Sequence, residues 1–162
     1  MSDSISALGA LVSLPLDSPE RKAALSTFYD NANGDPLVLN KWFAIQATVD
    51  KPGILPSVIA LKQHKDFTIS NPNRARSLIS MFTANTQNFH AIDGSGYQFI
   101  SDCVLELDKI NPQVASRLVG CFSSWRKLEQ VRGNMMKQQL ERILGEKGLS
   151  KDTFEIVSRS LK

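Results

Sequence analysis

Two polar side chains, Gln113 and Arg117, stand four residues apart in the segment N-P-Q-V-A-S-R. On a helix this spacing places both on one face, which lies away from the apolar stripe of Val114, Leu118 and Cys121. Arginine offers a planar fork of donors, and a glutamine in the first helical turn adds an amide close to free backbone N–H groups. The pair therefore predicts a surface that binds a ligand or partner. A solvated helix face with an incidental pair is the alternative that spacing alone leaves open.

A second polar group lies in the segment N-P-N-R-A-R-S, which holds Asn71, Asn73, Arg74 and Arg76. Both arginines fall in the first turn of a predicted helix, where a cation opposes the helix dipole. This local cost indicates that the arginines have partners elsewhere. We expect them to pair with Asp93 or with another domain, and structural pairing is the favoured interpretation.

His90, Asp93 and Tyr97 form a third group, around the glycines of D-G-S-G-Y. Histidine and aspartate are the types of a general base and the acid that orients it. No nucleophile of suitable spacing accompanies them, so we interpret both as hydrogen-bonding residues that fasten the loop. Tyr97 is predicted to be a core or helix-interface aromatic.

Motifs for self-contained catalysis are missing from the chain. It has no H-E-x-x-H, no Cys/His cluster with zinc spacing, no glycine-rich nucleotide loop and no G-x-S-x-G. We therefore assign no catalytic residue and no metal ligand within it. Cys103 and Cys121 fall in apolar stripes and are predicted to be reduced core thiols.

The composition suits a helical domain with a substantial core. The chain has 162 residues, 42% of them hydrophobic, and a net charge of +3. The basic residues are scattered, which disfavours a nucleic-acid surface. An apolar N-terminal stretch, 5–16, is too short to span a bilayer and lacks a preceding positive segment, so we interpret it as a docking helix of a cytoplasmic protein with no membrane partner.

Apolar residues recur at helical spacing almost throughout, and helices are predicted to begin near residues 19, 36, 55, 72, 95, 112, 126 and 151. The sequence predicts an all-α, right-handed superhelical stack of antiparallel helix pairs with about eight or more helices, as one domain over 1–162. A compact irregular bundle is the structural alternative. One helix-start pattern, a small polar N-cap residue followed by proline, occurs four times: Ser18-Pro19, Asp35-Pro36, Asn71-Pro72 and Asn111-Pro112.

Five segments in matching order and spacing, from about Leu11 to Leu161, resemble the C-terminal domain of bacterial-type aminopeptidase N, a zinc-dependent gluzincin alanyl aminopeptidase. The segments are K-W-F-A-I-Q-A, F-T-I-S-N-P-N-R, F-H, D-G-S-G-Y and N-P-Q-V-A-S-R. In that family the zinc motif lies in an upstream domain, which is absent from this chain. The resemblance thus implies the C-terminal domain of a larger peptide hydrolase, inactive alone and without its own cofactor, whose intact form uses zinc.

The same resemblance implies a role for the domain. It would close over the catalytic cavity, control the access of peptides and contact the catalytic and other domains of the same polypeptide. Gln113 and Arg117 would point into the cavity and contact peptide substrates. The other polar residues described above would serve the domain interface or support loops; they are Asn71, Asn73, Arg74, Arg76, His90, Asp93 and Tyr97. A free-standing helical scaffold that binds a protein is the alternative function.

Overall fold

The computed structural model describes residues 2–162, and side chains from residue 4 onward. Helices and turns make up this part of the chain, and it contains no strand. This confirms the all-α prediction. Eleven α-helices are present in the described residues: α1 (Ser2–Val12), α2 (Pro19–Ala32), α3 (Pro36–Ala47), α4 (Leu55–Lys62), α5 (Pro72–Ala75), α6 (Met81–Thr83), α7 (Thr86–Phe89), α8 (Ser95–Asp108), α9 (Pro112–Val119), α10 (Gln130–Leu144) and α11 (Lys151–Leu161).

Short non-α segments connect some of these helices. A π-helix, Arg76–Ser80, joins α5 to α6, and 3₁₀-helices cover Gly120–Phe122 and Trp125–Lys127. None of the helices in the described residues is both long enough and apolar enough to cross a membrane.

All four predicted Xaa-Pro helix starts are present. The side chains of Ser18, Asp35, Asn71 and Asn111 each accept a hydrogen bond from a first-turn backbone N–H, and proline follows each of them. The local sequence therefore determines where these helices begin.

The predicted start near residue 126 is wrong. Residues Trp125–Lys127 form a 3₁₀-helix, Leu128 is extended, and α10 begins at Gln130. Glu129 is the cause, because its carboxylate accepts hydrogen bonds from the N–H groups of Val131 and Arg132 and so caps the helix.

The chain divides into two compact units, residues 1–88 and 89–162. The single domain over 1–162 stays a prediction, and each unit is described by itself. In the first unit α3 packs against α2 and the π-helix. On α3, the indole Nε1 of Trp42 donates to the Leu25 carbonyl at 2.9 Å. The core consists mainly of Leu8, Val12, Leu25, Phe28, Leu39, Phe43, Ile54, Val58, Leu78, Ile79 and Phe82.

Two buried amides fasten the loop between α3 and α4 in this unit. Asn85 Nδ2 donates to the carbonyls of Ala47 and Val49, at 3.0 and 2.8 Å. Asn88 accepts from the Ile54 N–H at 3.0 Å and donates to the Lys51 carbonyl at 2.7 Å. These side chains satisfy backbone groups that helices leave unpaired.

In the second unit α8 and α11 pack against α9, and α10 packs against α8 and α11. A buried carboxylate, Asp108 at the end of α8, accepts hydrogen bonds from the start of α11. Both cysteines are reduced thiols, and burial raises the pKa of Cys121. The core consists mainly of Phe89, Tyr97, Ile100, Val104, Leu107, Ala115, Leu118, Phe122, Met136, Leu140, Ile143 and Val157.

Candidate functional site

The candidate binding residues Gln113 and Arg117 lie on α9. Asn111 begins this helix, because its Oδ1 accepts from the Val114 N–H at 3.3 Å, and Pro112 takes the first helical position. Gln113 is thereby placed in the first turn, and Arg117 lies one turn later on the same side. Both side chains are exposed.

The opposite side of α9 anchors this helix in the second unit. Ala115, Leu118 and Val119 are buried there, and α9 packs against α8 and α11. A helix held along one whole side presents its other side in a fixed orientation. The exposed pair therefore stands on a rigid element, which suits a binding role.

The guanidinium of Arg117 forms no hydrogen bond or ion pair with any side chain or carbonyl that the structure describes. Five donors thus face solvent on a helix that is otherwise well packed. A planar arginine with all its donors available can bind a carboxylate in a bidentate manner or bridge two peptide carbonyls. Gln113 adds one amide acceptor and one amide donor group to this face.

The loop before α8 is held by His90 and Tyr97. His90 Nδ1 lies 2.5 Å from the Tyr97 hydroxyl oxygen, and Tyr97 is completely buried. Burial raises the pKa of Tyr97 to about 12. The phenol keeps its proton and can donate it to Nδ1 when the neutral ring carries its own proton on Nε2.

Arg132 of α10 secures the same loop from the other side. Its Nε donates to the His90 carbonyl at 2.6 Å, and its Nη1 donates to Glu129 at 2.8 Å. Burial, and secondarily the charge of Arg132, lowers the pKa of His90. The contact between Arg132 and His90 spans 42 residues of sequence, and no pattern in the sequence indicated it.

Asp93 acts at the start of α8. Its Oδ1 accepts from the Ser95 N–H at 2.9 Å and from the Ser95 hydroxyl at 2.6 Å. These two hydrogen bonds lower the pKa of Asp93. Gly94, which lies between Asp93 and Ser95, has φ +77°, a left-handed conformation that glycine adopts without strain. His90 and Asp93 thus have separate partners, and they do not form a base with its orienting acid.

Arg74 is buried in the first unit, with 6% of its surface exposed. Its Nε donates to Asn40 Oδ1 at 2.6 Å, its Nη1 donates to the Asp66 carbonyl, and its guanidinium lies 5.3 Å from the centre of the Phe43 ring. These contacts, and not a pairing with Asp93, explain an arginine in the first turn of α5. Asn71 caps the helix, since its Oδ1 accepts from the N–H groups of Asn73 and Arg74.

Asn73 and Arg76 differ from Arg74, because both are exposed. They line a cavity of about 420 Å³ beside α3. Sequence reasoning grouped the four residues of this segment together. The structure divides them into a cap, a buried connector and two surface groups.

A protein site for a metal ion needs several donor side chains close together. No group of three or more His, Cys, Asp or Glu side chains in the described part of the chain is placed to hold a metal ion. These described residues therefore do not fit a zinc centre.

A family model described as a domain of unknown function (DUF3458_C) with ARM repeats matches residues 1–162. Among curated proteins, the chain is 41% identical over 162 residues to an aminopeptidase N of Caulobacter vibrioides and 40% identical over 162 residues to one of Escherichia coli. Each alignment covers 99% of this chain and 18% of the relative, so the chain spans less than a fifth of these proteins.

A solved structure shares the fold. The crystal structure of Legionella pneumophila aminopeptidase A in complex with aspartic acid matches with a TM-score of 0.93 and 34% sequence identity. The match covers 99% of this chain and 19% of that chain. The ARM-repeat description agrees with a solenoid-like stack of helices.

Proposed function

This chain belongs to the DUF3458_C family of ARM-repeat domains, and from that membership we propose that it is the non-catalytic C-terminal domain of a zinc-dependent aminopeptidase. In the intact enzyme it caps the catalytic cavity and controls the access of peptides. It contributes substrate contacts through Gln113 and Arg117. Bond cleavage belongs to the other domains of the polypeptide, where zinc would activate a water molecule.

The observation that carries this proposal is the extent of the sequence matches. The chain aligns over 99% of its length with two proteins named aminopeptidase N, yet it spans only 18% of each. A part of that size, without a metal-holding cluster in its described residues, supports a role beside the chemistry. The exposed and unpaired Arg117 supplies a group able to bind the carboxylate or the carbonyls of a peptide.

The first experiment uses the intact parent polypeptide and the substitution Arg117→Ala. We expect kcat/KM for tri- and tetrapeptides to fall by about tenfold or more, because a charge-assisted hydrogen bond contributes about 1.5–3 kcal/mol. An aminoacyl anilide, which lacks the peptide portion beyond the scissile bond, should be affected much less. Arg117→Lys should restore only part of the activity, since lysine cannot form the planar bidentate contact.

Arg159→Ala is the matched control. Arg159 is an exposed arginine on α11 that pairs with Glu155 at 2.6 Å within the same helix. This variant should retain the kinetics of the unsubstituted enzyme on both substrates. Unchanged peptide kinetics in Arg117→Ala would overturn the role of Arg117. A polypeptide that contains this chain but hydrolyses no peptide would overturn the aminopeptidase proposal, and the scaffold function would replace it.

A further inference from the structure

The end of α9 is connected to the loop before α8 by a cluster of aromatic rings. The 3₁₀-helix Gly120–Phe122 continues directly from α9, and the Gly120 N–H donates to the Arg117 carbonyl. Phe122, at the end of this continuation, is completely buried. The direction in which α9 ends, and with it the place of Arg117 in the last turn, therefore depends on how Phe122 is held.

Phe122 is held by Phe89 and Tyr97, whose ring centres lie 5.9 and 6.3 Å from its own. The centre of the His90 ring lies 4.8 Å from that of Phe89 and 5.5 Å from that of Tyr97. Rings packed this closely transmit a displacement to their neighbours, because a protein interior has little free volume. A change at His90 thus reaches the last turn of α9 through Phe89 or Tyr97 and then through Phe122.

The contact between His90 and Tyr97 depends on a single proton. Nδ1 of His90 lies 2.5 Å from the Tyr97 hydroxyl oxygen, and the phenol can donate across this distance only while Nδ1 is unprotonated. A protonated imidazole carries a hydrogen on both nitrogens, so two hydrogens would then meet on one short contact. The hydroxyl hydrogen would need another acceptor, although Tyr97 is completely buried and packs edge-on with Phe89 and Phe122.

Charged and titratable groups of the neighbouring elements act on this pair. Arg132 of α10 donates to the His90 carbonyl at 2.6 Å, and Glu129, the cap of α10, pairs with Arg132 at 2.8 Å and offsets part of its charge. Cys121 of the 3₁₀-helix stays a neutral thiol, because burial raises its pKa, and Asp93 on the loop itself is engaged at the start of α8. Burial and Arg132 hold the pKa of His90 below its ordinary value, so the folded arrangement is matched to the neutral ring.

We propose that His90 is a positioning residue for peptide binding and makes the contact of Arg117 with substrate sensitive to pH. The neutral ring holds Tyr97 and Phe122 in the arrangement that fixes the end of α9. Protonation disrupts the contact with Tyr97, loosens Phe122 and displaces the guanidinium of Arg117, so peptides bind less well at acidic pH. This inference rests on the proposed function, because it takes the exposed face of α9 to contact peptides.

Kinetics of the intact polypeptide test the functional part of this inference. The measured quantity is kcat/KM for a tripeptide divided by kcat/KM for an aminoacyl anilide with the same N-terminal residue. This ratio cancels titrations at the catalytic centre that affect both substrates. We expect it to fall by about threefold or more between pH 7.5 and pH 5.5, mainly through a higher KM for the tripeptide, because a displaced donor binds less tightly.

His90→Asn separates positioning from a purely structural role. Asparagine places an amide oxygen near the position of Nδ1 and cannot become a cation, so it can accept from Tyr97 at both pH values. This variant should have the same ratio at pH 5.5 as at pH 7.5. A ratio that falls in His90→Asn as it does in the unsubstituted enzyme would overturn the inference.

His64→Asn is the matched control. The chain has two histidines, and His64 is the one in the first unit. This variant should retain the full fall of the ratio with pH. Loss of that fall in His64→Asn would assign the pH dependence to the wrong histidine and would likewise overturn the inference.

Hydrogen exchange tests the connection to α9 without any substrate. After correction for the intrinsic dependence of exchange on pH, the amides of residues 118–122 in the unsubstituted polypeptide should lose protection by about threefold or more between pH 7.5 and pH 5.5. The same amides in His90→Asn should keep their protection. Equal losses in the two proteins would overturn the positioning role.

A third measurement separates this inference from the proposed function. If Arg117→Ala lowers the ratio but the fall with pH persists in that variant, the substrate contact stands and the positioning role of His90 is overturned. If Arg117→Ala leaves the ratio unchanged, the proposed contact of Arg117 fails and its positioning fails with it. A loss of protection at residues 118–122 that depends on His90 would still establish the connection from His90 to α9.

Discussion

The imidazole Nδ1 of His90 lies 2.5 Å from the hydroxyl oxygen of Tyr97, and this contact connects the loop before α8 to the core of the second unit. The Tyr97 ring packs edge-on with Phe89 and Phe122, and the His90 ring packs edge-on with Phe89. The polar contact is therefore enclosed by aromatic surface, where a hydrogen bond is costly to leave unmade.

Tyr97→Phe removes the hydroxyl and leaves the rest of the ring in place. We expect the free energy of unfolding to fall by about 1–2 kcal/mol, because His90 Nδ1 loses its partner in a site that water does not reach freely. Urea unfolding followed by circular dichroism measures this difference. Phe89→Leu is the control for packing, since it changes the aromatic cluster and keeps the hydrogen bond. A Tyr97→Phe variant as stable as the unsubstituted protein would contradict the prediction.

His90 also predicts how stability depends on pH. Burial and the nearby Arg132 hold its pKa below the ordinary value of 6.5 in the folded state. Above pH 6.5 the ring is neutral in both states, and its contribution to stability is fully present. As the pH falls through 6.5 toward the lowered value, the unfolded chain takes up the proton first, and stability declines.

The measurement compares urea unfolding at pH 7.5 and pH 5.5 in the unsubstituted protein and in His90→Gln. We expect the unsubstituted protein to lose more stability over this interval than the variant loses. All other titrating groups are common to the two proteins, so the difference isolates His90. An equal loss in both would show that His90 does not carry this dependence.

The helix starts could be predicted because their causes are local. Asn111 caps α9 through an N–H only three residues away, and proline follows it in the sequence. A cap without proline is less distinctive, which is why Glu129 and the true start of α10 were missed. The exposed face of Gln113 and Arg117 also follows from spacing within one short helix.

The buried polar contacts could not be predicted, because their partners are distant in sequence. Asn88 and Ile54 are 34 residues apart, and Asp108 and Thr153 are 45 apart. An asparagine or aspartate in a polar stretch looks like an ordinary loop or surface residue until packing brings its partner to it. For the same reason, the sequence did not predict the hydrogen bond from Arg132 to the His90 carbonyl.

Asp108→Ala should be among the most destabilising single changes in the second unit. Asp108 accepts from the Ser150 N–H at 2.7 Å, the Ser150 hydroxyl at 2.5 Å and the Thr153 hydroxyl at 2.6 Å. Its loss leaves buried donors unpaired at the start of α11. We expect the free energy of unfolding to fall by about 2–4 kcal/mol, measured by urea unfolding.

Asp102→Ala on the same helix is the matched control. Asp102 is exposed and pairs with Arg142 at 2.7 Å on the surface. Exposed ion pairs contribute about 0–1 kcal/mol, so this variant should remain close to the unsubstituted protein. Similar losses for the two aspartates would contradict the distinction between a buried connector and a surface pair.

Gly133 and Gly120 predict opposite effects of the same substitution. A Cβ at Gly133 would lie 2.6 Å from the Trp125 carbonyl oxygen, whereas a Cβ at Gly120 would meet nothing within 4 Å. The Trp125 segment cannot easily move away, because its indole donates to the Ser160 carbonyl at 2.9 Å and thereby holds it to α11. Gly133 is therefore required for the close approach of α10 to the preceding 3₁₀-helix.

Alanine normally stabilises a helix relative to glycine, so the clash must outweigh that gain. We expect Gly133→Ala to lower the free energy of unfolding by about 1–3 kcal/mol, the usual cost of overpacking. Gly120→Ala, with φ −57°, should raise it by about 0.4–1 kcal/mol, because the unfolded chain loses conformational freedom. Thermal unfolding of the two variants side by side measures both effects. A Gly133→Ala protein that melts above the Gly120→Ala protein would show that the 3₁₀-helix can yield, and that Trp125 does not fix its position.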